Sequence, residues 1–225
     1  TSTGTSQCTS TRLVSLPNWA DVSAIQPLQG TSPYRAELGI RPDAVVALYS
    51  GNMGAKQGLE LLAEMALMLK DQPGLEFVFC GNGAGRAELV KRCESLANVR
   101  FLDLQPVERL GDFLGLADIH LLPQRADAAD LVMPSKLTGM LSSGRPVVAG
   151  ARPETELGKV MAECGIAVAP DDAKAFAEAV LALALQPERR RELGLKARAV
   201  AEARFDRDAV LAQFERDLLA CVARR

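Results

Sequence analysis

Between Val45 and Ala169 the chain alternates short apolar runs with longer stretches of helical period. The runs fall at 45–50, 75–80, 99–102, 119–122, 146–149 and 166–169, and helical patterns fill 58–70, 84–96, 107–116, 134–142 and 153–163. Apolar runs that do not alternate with polar residues belong to strands buried on both faces. Strand–helix units in succession require right-handed crossovers and place helices on both sides of a parallel sheet. The pattern therefore predicts an α/β fold: a doubly wound, six-stranded parallel sheet of Rossmann-like type.

After residue 170 the strands stop, and helices are predicted at 172–185, 187–203 and 206–222. Asp171 is the expected N-cap of the first, and Pro187 suits the start of the second. The last two are rich in arginine with acidic neighbours, the pattern of a solvated charged face. Ahead of the sheet, residues 1–12 form a polar Thr/Ser-rich stretch, read as a loosely tethered leader or the scar of a cut. Residues 13–43 read as a connector: a short strand into Pro17-Asn18-Trp19, an irregular segment, and a short helix around Tyr34–Leu38 ended by Gly39. Trp19, the only tryptophan, is expected to anchor this connector. The main domain then runs over 44–205, with a separate terminal helix in 206–225.

In such sheets ligands bind beyond the carboxyl ends of the strands, so the turns there carry the candidate chemistry. The first, Ser50-Gly51-Asn52-Met53-Gly54-Ala55-Lys56-Gln57-Gly58, holds three glycines and one lysine before a long helix. It is either an ordinary strand-to-helix turn or a phosphate cradle, since glycines let backbone amides approach an anion at a helix N-terminus. The second, Gly81-Asn82-Gly83-Ala84-Gly85-Arg86, presents more amides and an arginine, which reads equally as a phosphate or base contact or as a surface residue. Leu104-Gln105-Pro106-Val107 follows the third strand. The twelve-residue loop Pro123–Pro134 is long for a compact α/β connection. It leads into Ser135-Lys136-Leu137, where a cation sits in a helix first turn and is better explained by a bound anion.

Composition narrows the classes. A net charge of −2 and 4% aromatic residues argue against nucleic acid as a partner. The five scattered cysteines (Cys8, Cys80, Cys93, Cys164, Cys221) form no CxxC pair and read as reduced thiols of a cytoplasmic protein. No apolar run approaches a membrane span. No His/Cys/Asp cluster has metal-ligand spacing. His120, the only histidine, lies inside an apolar run and reads as a core residue.

With the turns in order, the chain resembles the C-terminal, donor-binding half of a GT-B glycosyltransferase of family 4, of the colanic-acid type in bacterial exopolysaccharide and capsule synthesis. The carriers are Pro17-Asn18-Trp19-Ala20-Asp21, Tyr49-Ser50-Gly51-Asn52-Met53-Gly54 with Gln57-Gly58-Leu59, Gly81-Asn82-Gly83, Asn98-Val99-Arg100-Phe101-Leu102, Ala117-Asp118-Ile119, Pro134-Ser135-Lys136-Leu137 and Ser143-Gly144-Arg145-Pro146-Val147-Val148-Ala149.

The resemblance implies a retaining transferase with a UDP- or GDP-linked sugar as substrate and no metal or other cofactor. It places the diphosphate near Gly51, Asn52, Met53, Gly54, Lys56, Gln57, Ser135 and Lys136. It places base and ribose near Gly81, Asn82, Gly83, Arg86, Gln105 and Gly139. The acceptor, a saccharide or lipid-linked saccharide, and the catalytic base belong to an N-terminal domain outside these residues. Residues 13–28 would be the hinge to it, and the final helix would pack back toward it. The full-length enzyme would work in the cytoplasm, at the inner face of the membrane where it associates peripherally. The chain departs from the family pattern in three places. Asn52 stands where an arginine is common, and Gln57 where a lysine is common, with Lys56 one place earlier. Leu131 and Gly139 hold the positions of two glutamates, the second of which usually binds ribose; Asp127 and Asp130 are nearby carboxylates. Two other classes are weighed against this one: a non-catalytic nucleotide-binding or scaffold domain, and a GT-B-shaped nucleotide-sugar epimerase.

Overall fold

A computed structural model describes residues 17–54, 57–126 and 133–222. The leader 1–12, the short strand before Pro17, Lys56, and Asp127, Asp130 and Leu131 of the long loop lie outside the described residues. Six strands form one parallel sheet in the order β3-β2-β1-β4-β5-β6. They are β1 (Val45–Ser50), β2 (Leu75–Cys80), β3 (Val99–Leu102), β4 (Ile119–Leu122), β5 (Val147–Gly150) and β6 (Ile166–Val168). β1 is central, and its Val46–Tyr49 side chains are wholly buried, as an apolar run without alternation requires. β5 starts one residue later than the apolar run implies. Pro146 has no N–H to give the ladder, and only its carbonyl takes part, accepting from His120 N.

The helices divide between the two faces. On one lie α2 (Leu59–Met68), α3 (Arg86–Cys93) and α7 (Ala173–Ala184), packed on Ala47, Tyr49, Phe77, Phe79, Ile119 and Val148. On the other, α1 (Pro33–Glu37) and α4 (Leu110–Leu114) cover Val46, Leu48 and Val78. Beside them α5 (Lys136–Ser142), α6 (Glu156–Cys164) and α8 (Pro187–Arg204) cover Leu122, Val147 and Ala149. α9 (Arg207–Val222) closes the described chain and buries only Val210. The fold is the doubly wound α/β sheet that the pattern predicts, with extra C-terminal helices.

Three local expectations are corrected. Asp172, not Asp171, caps α7, its carboxylate accepting from Ala175 N at 2.8 Å. Asp171 instead holds a left-handed backbone (φ 62°) and accepts from Ala126 N, tying α7 to the loop after β4. The 107–116 helix begins as a 3-10 turn, Val107–Arg109, because Pro106 offers no side-chain cap and nothing in that turn is buried. Trp19 does not anchor the connector: it is 44% exposed. Val22 and Ile25 are the buried side chains there. Ala20 also pairs with the α8–α9 junction, its N–H donating to Phe205 O at 2.9 Å and its carbonyl accepting from Arg207 N at 3.0 Å.

Candidate functional site

The strand order reverses between β1 and β4. The chain leaves β1 toward β2 on one side and reaches β4 on the other, so a crevice opens beyond their carboxyl ends. The turn after β1 forms one side and the start of α5 the other. A cleft of about 680 Å³ lies there, lined by Ser50, Gly51, Ser135, Lys136, Thr138 and Gly139, by Cys80, Leu104, Gln105 and Val107, by Leu110, Phe113 and Leu114 of α4, and by Ala20, Asp21, Ala24 and Ile25 of the connector. Its surface is mainly apolar, with a few polar groups converging at one end, the usual make-up of a small-molecule site.

Lys136 is the cation at that end. Its Nζ donates to Gln57 Oε1 at 3.1 Å and Tyr49 Oη at 3.4 Å, and lies 4.5 Å from the centre of the Tyr49 ring. A Cβ on Gly51 would stand 3.5 Å from that nitrogen, so the ammonium lies directly over the first turn. Among the described residues no carboxylate pairs with it. Burial pushes its pKa down to about 8. Desolvation disfavours the charged form, and an anion arriving in the cleft would reverse that. Tyr49 serves twice: its ring carries the lysine, and its hydroxyl donates to Asn52 O at 2.6 Å, fixing the turn. Gln105 is oriented at the other end, its Oε1 accepting from Tyr34 Oη at 3.0 Å and its Nε2 donating to Asp103 O at 2.7 Å.

The cleft thus brings together Gly51, Gln105, Ser135, Lys136 and Gly139, with Gln57 reaching it through Lys136. Asn52 is exposed and Met53 is buried beneath the turn. Gly54 borders a separate groove of about 210 Å³ with Glu60 and Arg125. Gly81, Asn82, Gly83 and Arg86 do not line the cleft. The structure uses them to join the two turns. Asn82 O accepts from Met53 N at 2.9 Å, and Met53 O accepts from Gly85 N at 2.8 Å. Gly81 N donates to Leu102 O. A Cβ at Gly83 would stand 2.6 Å from Met53 O, so side-chain-free backbone is needed there for the two turns to pack. Arg86 pairs with Asp103 at 3.3 Å.

Sequence reasoning missed Tyr34, Cys80, Ala24 and Ile25, and singled out Tyr49, Ala20 and Asp21 as carriers of the resemblance without giving them a place at the site. Tyr49 and Cys80 are the ends of apolar runs, and there the pattern carries no further signal. His120 is wholly buried in β4 and away from the cleft. Ser143 Oγ donates to Met140 O, so the His120 Nε2–H donates to Ser143 Oγ at 3.0 Å, leaving Nδ1 without a partner. Burial, with Arg145 adding to it, pushes the imidazole pKa down to about 3. Among the described residues no helix is long and apolar enough to cross a membrane.

The sheet order and the switch-point crevice define a Rossmann-like nucleotide-binding type of fold. Solved structures share that fold. The C-terminal domain of the glycosyl transferase group 1 family protein LpcC from Francisella tularensis matches with a TM-score of 0.67 and 15% identity, over 84% of this chain and 99% of that one. Anabaena Alr3699/HepE, solved in complex with UDP and glucose, matches with a TM-score of 0.77 and 16% identity, over 90% of this chain and 55% of that one. The family model for glycosyl transferases group 1 matches residues 31–200, and the chain belongs to that family. The WcaI glycosyl transferase assigned to colanic acid biosynthesis in Escherichia coli K12 is 36% identical over 213 residues, 92% of this chain and 51% of that protein. The chain spans about half the length of the curated relatives it matches.

Proposed function

We propose that this chain is the donor-binding half of a retaining glycosyltransferase, which moves a hexose from a UDP- or GDP-linked donor to a lipid-linked or growing polysaccharide acceptor in exopolysaccharide synthesis. The observation that carries the reading is Lys136, a half-buried ammonium over the Gly51 turn, in a cleft at the sheet's switch point, with no carboxylate beside it among the described residues. The diphosphate lies between the Gly51–Gly54 turn and Ser135-Lys136, and the nucleoside lies in the apolar part by Leu104, Gln105 and Val107. Gly139 offers no side chain to the ribose. As the bond from sugar to diphosphate breaks, charge grows on the leaving oxygens, and a fixed cation in a water-poor cleft stabilises it without reorganising. Lys136 supplies that charge, so no metal is needed for donor binding. The acceptor and the base bind to a part of the protein outside this chain, at the cytoplasmic face of the membrane.

The test is a thermal-shift titration with UDP and with GDP, with and without EDTA. A rise in Tm with one of the two, unchanged by EDTA, is the expected result. No shift with either nucleotide sinks the reading, and a shift that EDTA abolishes sinks the metal-independent part of it.

A further inference from the structure

The cleft has a wall that no regular element holds. Ala20, Asp21, Ala24 and Ile25 line it, yet they belong to the irregular connector. The opposite wall is α5, with Ser135, Lys136, Thr138 and Gly139. The walls meet where a Cβ on Gly139 would stand 3.8 Å from Ile25 Cδ1. Behind that meeting point, outside the cleft, lies Arg198 of α8, whose side chain is 14% exposed. Its Nη1 donates to Ile25 O at 2.7 Å, Val22 O at 3.2 Å and Ser142 O at 2.8 Å, and its Nη2 donates to Gln26 Oε1 at 3.2 Å. Nε pairs with Glu202, which orients the fork. One planar guanidinium therefore fastens the backbone of the connector wall to the C-terminal end of the helix that carries Lys136. Arg189 and Arg204 of α8 instead pair with Glu192 and Glu163 on exposed surface, and Arg190 donates to Leu183 O and Ala184 O at the α7–α8 junction, away from the cleft.

We propose that Arg198 is a positioning residue for the cleft. From outside, it fixes the distance between the connector wall and the Lys136 wall, and through that distance it sets the affinity for a nucleoside diphosphate. The proposal rests on the donor-site reading above. Its physical basis is that a charged fork satisfies several carbonyl oxygens at once. The other polar fastenings of the wall, the Ala20 hydrogen bonds to Phe205 and Arg207 and the Asp21–Arg207 pair, lie at its start, so Arg198 is what ties the Val22–Ile25 end to α5, and a displacement of about 1 Å in a binding wall is costly. A lysine would keep the charge but not the geometry.

Trp19 makes the proposal testable without a ligand. It is the only tryptophan, 44% exposed, and adjacent to Ala20 on the wall. Acrylamide quenching and fluorescence anisotropy of Trp19 would be compared between the unaltered chain, Arg198→Ala, Arg198→Lys and the control Arg204→Ala, all well below their unfolding temperatures. UDP affinity would be measured by calorimetry on the same samples across pH. Arg198→Ala is expected to raise the quenching constant about twofold and weaken UDP about tenfold, with the midpoint set by Lys136 unmoved. Arg198→Lys should fall between, and Arg204→Ala should match the unaltered chain. A residue that merely stabilises the fold would lower Tm while leaving Trp19 and the UDP affinity alone, and that result overturns the proposal. Should Arg198→Ala fail to fold, unaltered quenching and affinity in Arg198→Lys overturn it equally. If the unaltered chain binds GDP and not UDP, the affinity comparison is made with GDP; absence of binding of both would instead defeat the donor-site reading, and the Trp19 comparison would still decide whether Arg198 holds the wall.

Discussion

Lys136 illustrates how one side chain can be wrong for stability and right for binding. Its pKa of about 8 lies below its ordinary value of 10.5 because the ammonium has lost water. Between those values the unfolded chain binds more protons than the folded one, so stability rises with pH through the window, and below about 8 the whole cost of the buried charge is present. At pH 7, Lys136→Met removes that cost, and the variant should melt about 2 °C higher than the unaltered protein. The same variant should lose UDP affinity by roughly ten- to a hundredfold, the worth of a hydrogen bond to a charged group. Affinity should be flat from about pH 7 and fall above about 8, where the ammonium of the empty cleft deprotonates. Calorimetric titration across pH, beside melting curves, checks both effects, and a melting point lowered by the methionine would contradict the desolvation argument. His120 obeys the same linkage at the other end of the scale. Its folded value of about 3 against 6.5 means that stability is lost as pH falls through that window. His120→Leu should flatten the acid limb of urea midpoints measured from pH 6.5 down to 4.

At the scale of elements, the two glycine turns act as one piece. Gly81 has φ 146°, and a Cβ there would run into Gly51 O, while Gly39 has φ 61° with nothing within 4 Å. Gly39→Ala should cost about 1 kcal/mol, the backbone term alone. Gly81→Ala should cost about 3 kcal/mol, because the turns must also separate. Urea unfolding compares them, and equal costs would mean that the two turns can part without penalty. Strands and helices were legible because burial on two faces forces apolar runs such as Val45–Leu48, and helical period marks α2 and α7. The glycines of the second turn were legible as special backbone, but their purpose was not: Gly83 and Met53 meet only after β1 and β2 have paired. Lys136 stood out because a cation opens a helix. Arg198 did not, since its partners are carbonyl oxygens of Val22, Ile25 and Ser142, and backbone acceptors leave no mark in a sequence. Trp19, the only tryptophan, did stand out, but as an anchor, a place that Val22 and Ile25 take.

For the whole molecule, α9 is the element that the rest of the chain leaves unfinished. A helix of sixteen residues is marginal in water unless tertiary packing supports it, yet only Val210 of α9 is buried. Leu211, Phe214, Leu218 and Val222 follow at helical spacing and are 42%, 39%, 50% and 69% exposed. The root of the helix is held to the cleft wall by the Arg207–Asp21 pair and the Ala20–Phe205 hydrogen bond. The chain spans about half the length of its curated relatives, and under the donor-half reading we propose that an acceptor domain of the full-length protein covers this face. A charge placed there then has opposite consequences in two settings. In this chain alone, Phe214→Glu with Leu218→Glu changes a largely solvated face, and should leave Tm within about 1 °C and UDP affinity unchanged. In the full-length protein the same pair buries unpaired carboxylates at an apolar contact, which should cost several kcal/mol of docking and abolish sugar transfer while donor binding persists. Melting and UDP titration of the short chain, beside transfer assays of the long one, separate the outcomes. Full transfer by the doubly charged long protein would place the proposed acceptor domain elsewhere and leave the apolar stripe of α9 to some other contact.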